Sequence, residues 1–282
     1  MVADLGFLKV PIQRTEGERH EAVADQLAIE EPLEIRLGYG SAKLRQQRSV
    51  AVTMRTPGHD AELAAGFLLS EAIVRCAEDI VFIRPCGPAH GAQQTPNVIR
   101  VELRDDLEFD LGRLERHFYT TSSCGVCGKT SLAALETGHA PPLSHDAPKV
   151  TADAIHRLPG QLRAAQEVFD QTGGLHAAGL FDAEGRIHSV REDVGRHNAV
   201  DKLIGAQLIA GQTPLVNRGI IVSGRASFEL LQKALMGGIA FLVAVGAPST
   251  LAVQLAEKFD MTLVGFAREG KFNTYCGAWR IG

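Results

Sequence analysis

GIIVSGRASFELLQKALMGGIAFLVAVGAPSTLAVQLAEKFDMTLVGF, residues 219–266, decides the fold of the larger part of this chain. Three short apolar runs, Gly219–Val222, Ala240–Val245 and Met261–Phe266, alternate with two stretches of helical length, Ser227–Met236 and Thr250–Phe259. Runs this short, rich in branched residues, read as strands. Strands alternating with helices imply βα units and a largely parallel sheet packed on both faces. Working upstream, a helix is predicted from about His197 to Ala210. A hairpin precedes it, His176–Phe181 and Arg186–Val190 around Asp182-Ala183-Glu184-Gly185. Before that, a helix starts near Thr151 and stops at Gly173-Gly174, disturbed at Pro159-Gly160. Residues 151–282 thus form an α/β domain.

The first part reads differently. Leu33–Leu37, the alternating Val50, Val52 and Met54, Asp79–Ile83 and Val98–Leu103 read as half-buried strands, with Thr56-Pro57-Gly58 as a breaker. Asp60 is placed to cap a helix running to about Val74, with Leu63, Phe67 and Leu68 on one face. Residues 31–119 are therefore a smaller, mainly antiparallel α+β domain. Residues 1–30 are polar and weakly periodic and read as a mobile lead-in. Residues 120–150 hold a cysteine loop and a connector, the expected domain boundary. The whole chain is α/β, or α+β overall.

Composition narrows the function. With 45% apolar and 22% charged residues the chain is an ordinary globular one, and its net charge of −4 does not favour generic nucleic-acid binding. No apolar run is long enough to cross a bilayer and the N-terminus lacks the pattern of a secretory signal, so a cytoplasmic protein is expected. Five cysteines, Cys76, Cys86, Cys124, Cys127 and Cys276, are sparse and odd in number, unlike a disulfide framework.

Cys124 and Cys127 lie in TTSSCGVCGK, residues 120–129, a loop of small residues. Lys129 and the loop's backbone N–H groups could stabilise a thiolate, the reactive form of cysteine. A thiolate can attack an external persulfide and carry the terminal sulfur as Cys–S–SH. Structural zinc normally requires four ligands, and no second CxxC pair exists here. Structural zinc, a thioredoxin-type redox pair and a pair of exposed structural cysteines remain as alternatives.

A second constellation follows the predicted strands. Arg191-Glu192-Asp193-Val194-Gly195-Arg196-His197-Asn198, Ser223-Gly224-Arg225-Ala226-Ser227 and Gly265-Phe266-Ala267-Arg268-Glu269-Gly270-Lys271-Phe272-Asn273 all sit where open α/β sheets bind ligands, beyond the carboxyl ends of strands. Helix N-termini there offer N–H groups to phosphates, and arginines add bidentate contact. Competing readings have Glu192 and Asp193 capping a helix, His197 as a helix-start or core histidine, Lys202 and Lys233 on solvated helix faces, and Phe266 and Phe272 either in the core or stacked on a base. His176-Ala177-Ala178 lacks the glutamate of the zinc deaminase motif, and no Pro-Cys-x-x-Cys follows it.

These motifs together resemble one family, the formate dehydrogenase accessory sulfurtransferases (FdhD). The likeness rests on Thr56-Pro57-Gly58-His59-Asp60 with Gly66-Phe67-Leu68, on Ser122–Gly128, on the string Arg191–Lys202 and on Ser223-Gly224-Arg225. The resemblance implies a cytidine-deaminase-like C-terminal domain lacking zinc. It further implies that sulfur passes from a cysteine desulfurase, through Cys124 with Cys127 as partner, to the bis(molybdopterin guanine dinucleotide) molybdenum cofactor, bound as substrate and destined for formate dehydrogenase. Phe266, Ala267, Arg268, Glu269, Gly270 and Lys271 would take the guanine nucleotide end. Ser223, Gly224, Arg225, Arg191, Arg196, His197 and Asn198 would help hold its phosphates. No metal site, nucleic acid or membrane enters this reading, and a homodimer is implied. A non-catalytic chaperone that inserts the cofactor is the alternative, and a zinc-stabilised nucleotide-binding module a third.

Overall fold

The computed structural model describes residues 6–91, 95–109 and 140–282. Cys124, Cys127, Lys129 and most of the expected connector at 120–150 lie outside the described residues. In place of a lead-in, β1 (Phe7–Glu16) and β2 (Arg19–Ala28) pair antiparallel along their whole length. Their residues are mostly polar and exposed, so the apolar pattern that marks a half-buried strand is weak there.

β3 (Glu31–Tyr39), β4 (Gln46–Arg55), α1 (Asp60–Ser70), β5 (Ile80–Pro85), the short pair β6 (Ala89–His90) and β7 (Thr95–Pro96), and β8 (Val98–Leu103) follow. Four of them form a sheet in the order β4-β3-β8-β5, antiparallel except for the β3–β8 pair. One expectation fails here. Val52 and Met54 do not face the core but are 62% and 47% exposed, and Ala51, Thr53 and Arg55 stand opposite Ile35, Leu33 and Glu31 instead. A bulge between Ile35 and Arg36 explains it. Val50 is the extra residue, so it is buried while the rest of β4 shifts face. Asp60 is not the cap of α1. His59 holds that position in a left-handed conformation, and Asp60 instead accepts two 3.0 Å hydrogen bonds from the buried Arg55 guanidinium.

The later elements are α2 (Ala152–Ala164), α3 (Glu167–Thr172), β9 (His176–Phe181), β10 (Ile187–Asp193), α4 (Arg196–Ile209), β11 (Gly219–Val222), α5 (Phe228–Met236), β12 (Phe241–Ala244), α6 (Thr250–Lys258), β13 (Thr262–Arg268) and β14 (Lys271–Cys276). Pro159 sits inside α2, and the helix breaks after Ala164 rather than at Pro159-Gly160. The six-stranded sheet runs β10-β9-β11-β12-β13-β14. Its centre, β11-β12-β13, is parallel, as βα alternation requires, and hairpin partners flank it antiparallel.

The sheet is covered on both faces. Ile221, Phe241, Val243 and Val264 pack against Ile155, Leu158 and Leu162 of α2. Ile220, Val222, Leu242 and Leu263 face the other way, toward Val200, Leu203 and Ile204 of α4, Leu231 of α5 and Leu255 of α6. That second core continues through Leu63 and Leu68 of α1 to Leu33, Ile35, Ile99 and Val101 of the four-stranded sheet. The two sheets therefore share one core through the α1–α4 contact. Two glycines permit that contact. A Cβ on Gly66 would lie 1.9 Å from the carbonyl oxygen of Asp201, and one on Gly205 would lie 1.9 Å from that of Glu62.

Candidate functional site

Parallel order places the carboxyl ends of β11, β12 and β13 at one edge of the sheet. Because β9 runs antiparallel to β11 and β10, that edge also carries His176 and Asp193, which are register partners. Short backbone hydrogen bonds lace the loops there together. Gly246 N–H donates to Gly224 O at 2.9 Å, Phe266 N–H to Gly246 O at 3.0 Å, and Ser249 N–H to Ala226 O at 3.0 Å. Ser223 Oγ accepts from Ala177 N–H at 2.9 Å and so ties β11 to β9. The Gly246–Ser249 loop was not singled out in the sequence. Its signal was present, a strand followed by a turn and by Ser249, which caps α6 by accepting from Ala252 N–H.

The cationic groups divide into two sets. Arg196 runs alongside Gly224 and near the His176 ring, and its Nε is buried without a hydrogen-bond partner. Arg225, Arg268 and Lys271 are exposed, the last two as register partners where β13 turns into β14. The Phe266–Lys271 segment is therefore not a loop after a final strand but the end of β13 and its hairpin turn. Phe266 is exposed with φ of 53°, a left-handed conformation costly for a bulky residue, while Ala267 points into the core. Neither α4, starting at Gly195, nor α5, starting at Ser227, has a side-chain cap, so first-turn N–H groups of both helices are not taken up by a capping side chain.

His176 reports the local field. Burial, Arg196 and His197 push its pKa down, against an opposing pull from Asp193. Burial is the largest of these causes, and the Arg196 charge adds to it. His197 Nε2 lies 2.7 Å from Glu229 Oε2 and 3.4 Å from Ser227 Oγ. Both contacts use the same ring nitrogen, so this is no Ser-His-acid relay, in which the two partners need opposite nitrogens.

Arg191 and Asn198 are committed elsewhere. Arg191 grips Glu62 of α1 with Nε–Oε2 at 2.5 Å and Nη2–Oε1 at 2.9 Å. Burial would raise the Glu62 pKa, but the hydrogen bonds and charges of Arg191 and His59 bring it down to about 2. Asn198 Nδ2 donates to Met54 O at 2.7 Å and to Asp193 Oδ1 at 3.0 Å, and its Oδ1 accepts from Thr53 at 3.1 Å. Glu192 caps α3 by accepting from Val168 and Phe169 N–H.

Lys202 and Lys233 correct the expectation of solvated helix faces. Lys202 Nζ is 2.7 Å from Asp193 Oδ2 and donates to Thr56 O at 2.8 Å, with side-chain exposures of 1% for the lysine and 0% for the aspartate. Lys233 donates to both oxygens of Asp201 at 2.7 Å, and Ser70 Oγ donates to the same carboxylate at 3.0 Å. The string Arg191–Lys202 is thus largely a buried polar seam that positions the sheet-edge loop against the four-stranded sheet. Thr56 completes it, with its N–H donating to Asp193 and its Oγ accepting from Val194 N–H.

Among the described residues no group of three or more His, Cys, Asp or Glu is gathered to hold a metal ion, and no helix is long and apolar enough to cross a membrane. Residues 28–282 match a family model described as the FdhD/NarQ family. A protein of Mycolicibacterium paratuberculosis named sulfur carrier protein FdhD is 52% identical over 92% of this chain and 92% of its own. Proteins of the same name from Streptomyces coelicolor and Sulfurisphaera tokodaii are 50% identical over 91% and 89%, and 38% identical over 97% and 98%, of this chain and their own respectively. A solved structure of a candidate formate dehydrogenase accessory protein from Desulfotalea psychrophila superposes with a TM-score of 0.74 at 24% identity, covering 98% of this chain and 99% of that one. That likeness concerns the fold.

Proposed function

Because this chain belongs to the FdhD/NarQ family, we propose that it is a sulfur carrier working on molybdenum cofactor for formate dehydrogenase. In this reading the Cys124 thiolate attacks the terminal sulfur of a cysteine desulfurase persulfide. Cys124–S–SH forms, and the desulfurase cysteine leaves as its thiolate. The Cys127 thiolate then attacks the inner sulfur of Cys124–S–SH, so that a Cys124–Cys127 disulfide forms and the outer sulfur leaves as hydrosulfide for the bis(molybdopterin guanine dinucleotide) cofactor, the substrate, the two cysteines supplying the two electrons. The protein acts in the cytoplasm as a homodimer.

One observation carries the cofactor half of the proposal. Two helix starts without side-chain caps, Arg196 with its unpartnered Nε, and the exposed Arg225, Arg268 and Lys271 belong to the loops of one sheet edge, beside the exposed Phe266 ring. N–H groups and guanidinium groups suit phosphates, and an aromatic face suits a purine. Ser223, Gly224 and His197 line the same edge. Arg191 and Asn198 contribute by positioning it through Glu62 and Asp193.

The test is mass analysis of the intact protein after incubation with a cysteine desulfurase and cysteine. A reductant-labile gain of sulfur on the peptide holding Cys124 and Cys127 is expected, and Cys124→Ala should fail to activate formate dehydrogenase. Full activation by that variant would replace the carrier with a cofactor-inserting chaperone. One zinc per chain in the purified protein would count against both.

A further inference from the structure

The pairing of β13 with β14 slips twice, once on each strand. Leu263 faces Cys276 and Val264 faces Thr274, so Tyr275 is an extra residue on β14. Gly265 faces Asn273 and Arg268 faces Lys271, so β13 carries the extra residue there, in the Phe266-Ala267 step. Bulges of this kind bend a strand and re-aim its side chains. An exposed aromatic ring stands at each, Phe266 on β13 and Tyr275 on β14. The nucleotide reading uses Phe266 and leaves Tyr275 without a role.

Tyr275 packs on Gly265. A Cβ on Gly265 would lie 3.0 Å from Tyr275 Cε2, 2.9 Å from Pro248 Cδ and 3.3 Å from Gly246 O. The space a side chain would need is thus filled by the Tyr275 ring and the Gly246–Ser249 loop. Gly246 repeats the arrangement toward β11, since a Cβ on it would lie 3.0 Å from Arg225 N, Cα and Cγ. Two glycines therefore let the loops after β11 and β12 and the end of β13 approach backbone to backbone. Phe266 follows directly. It donates its N–H to Gly246 O at 3.0 Å and has φ of 53°. A bulky residue keeps a left-handed conformation only where its surroundings over-determine it. The bond to Gly246 is one restraint. The Tyr275 ring is a second, because it closes the space beside a glycine whose backbone would otherwise rotate freely.

We infer that Tyr275 is a positioning residue for nucleotide binding: its ring, seated on Gly265, locks the backbone that holds Phe266 left-handed and so aims the Phe266 ring at the base. This rests on the reading of the cationic edge as the nucleotide site. The contact is made by a ring carbon, so the aromatic ring and not the phenol hydroxyl supplies the restraint.

The experiment measures guanosine diphosphate affinity by calorimetry for the full chain, with Tyr275→Phe, Tyr275→Ala, Phe266→Ala and the last two combined. Amide hydrogen exchange at Phe266 is read alongside. Tyr275 is 37% exposed, so its truncation spares the core. Tyr275→Ala should weaken binding about tenfold, because it lowers the fraction of protein with the Phe266 ring in place, and by no more than Phe266→Ala does. Exchange at the Phe266 N–H should rise by a similar factor. Tyr275→Phe should match wild type in both. The double variant should bind no more weakly than Phe266→Ala alone, since a residue acting through that ring then has nothing left to act on. Wild-type affinity or unchanged exchange in Tyr275→Ala would overturn the inference and leave the nucleotide site standing. So would losses that multiply in the double variant, which would make Tyr275 a direct contact to the nucleotide. Wild-type protein that binds no guanosine diphosphate would overturn the nucleotide reading itself, and the inference with it.

Discussion

Replacing Lys202 with methionine should cost far more than removing a surface lysine. The Lys202–Asp193 pair is enclosed, with side-chain exposures of 1% and 0% and a 2.7 Å contact. Breaking a buried pair by deleting one partner costs about 3–5 kcal/mol, because the remaining charge is left uncompensated. Asp193 would keep hydrogen bonds from Thr56 N–H, Gly195 N–H and Asn198 Nδ2, which argues for the lower end, about 3 kcal/mol. At roughly 2–4 °C per kcal/mol for a chain of this size class, the melting temperature should drop by about 6–12 °C. The double variant Asp193→Asn with Lys202→Met removes both charges and should recover about 2 kcal/mol or more relative to the sum of the single changes. Urea unfolding followed by circular dichroism measures all three variants. A loss below about 1 kcal/mol for Lys202→Met, or additivity within about 0.5 kcal/mol, would refute the view that this pair reinforces the direct hydrogen bonds between Thr56 and the Asp193 loop.

Three further outcomes are expected. The Glu62 carboxyl, held down to about 2 from a usual 4.5, contributes stability that is complete above pH 4.5 and lost as pH falls from 4.5 toward 2. Arg191→Met should remove the Arg191 share of that contribution, on the order of 1 kcal/mol after solvent screening, and make the acid limb of a pH–stability curve shallower, while His59 keeps its own share. Gly205→Ala should destabilise by about 1–3 kcal/mol in thermal unfolding despite alanine's better helix propensity, since its Cβ would strike the Glu62 carbonyl oxygen; a neutral effect would mean the α1–α4 crossing is not close. Phe266→Ala should weaken guanosine diphosphate binding by about 5- to 150-fold in calorimetry if the ring stacks on the base, and an unchanged affinity would remove Phe266 from the site.

Local pattern alone determined the α/β half of this protein. The runs Gly219–Val222 and Ala240–Val245 fit β11 and β12 closely because strands buried on both faces must be continuously apolar. Ser223–Ser227 was legible for the same reason, since it falls where a βα unit must turn, whereas Phe266–Lys271 is a hairpin turn between β13 and β14. The β1–β2 hairpin and β14 were not legible. Their residues are mostly exposed, so the apolar periodicity that reveals a strand is faint, and their pairing is decided by a partner strand.

Charge roles depended most on tertiary structure. Lys202 and Lys233 sit on helices among polar neighbours and read as solvated, yet Asp193, Thr56 and Asp201 enclose them, with Thr56 far away in sequence. Arg191 reads as a phosphate ligand until α1 brings Glu62 against it. Periodicity is a property of neighbours along the chain and can be read there. The environment of an ionisable group is set by whatever the fold packs around it, and for this chain the α1–α4 crossing at Gly66 and Gly205 sets it.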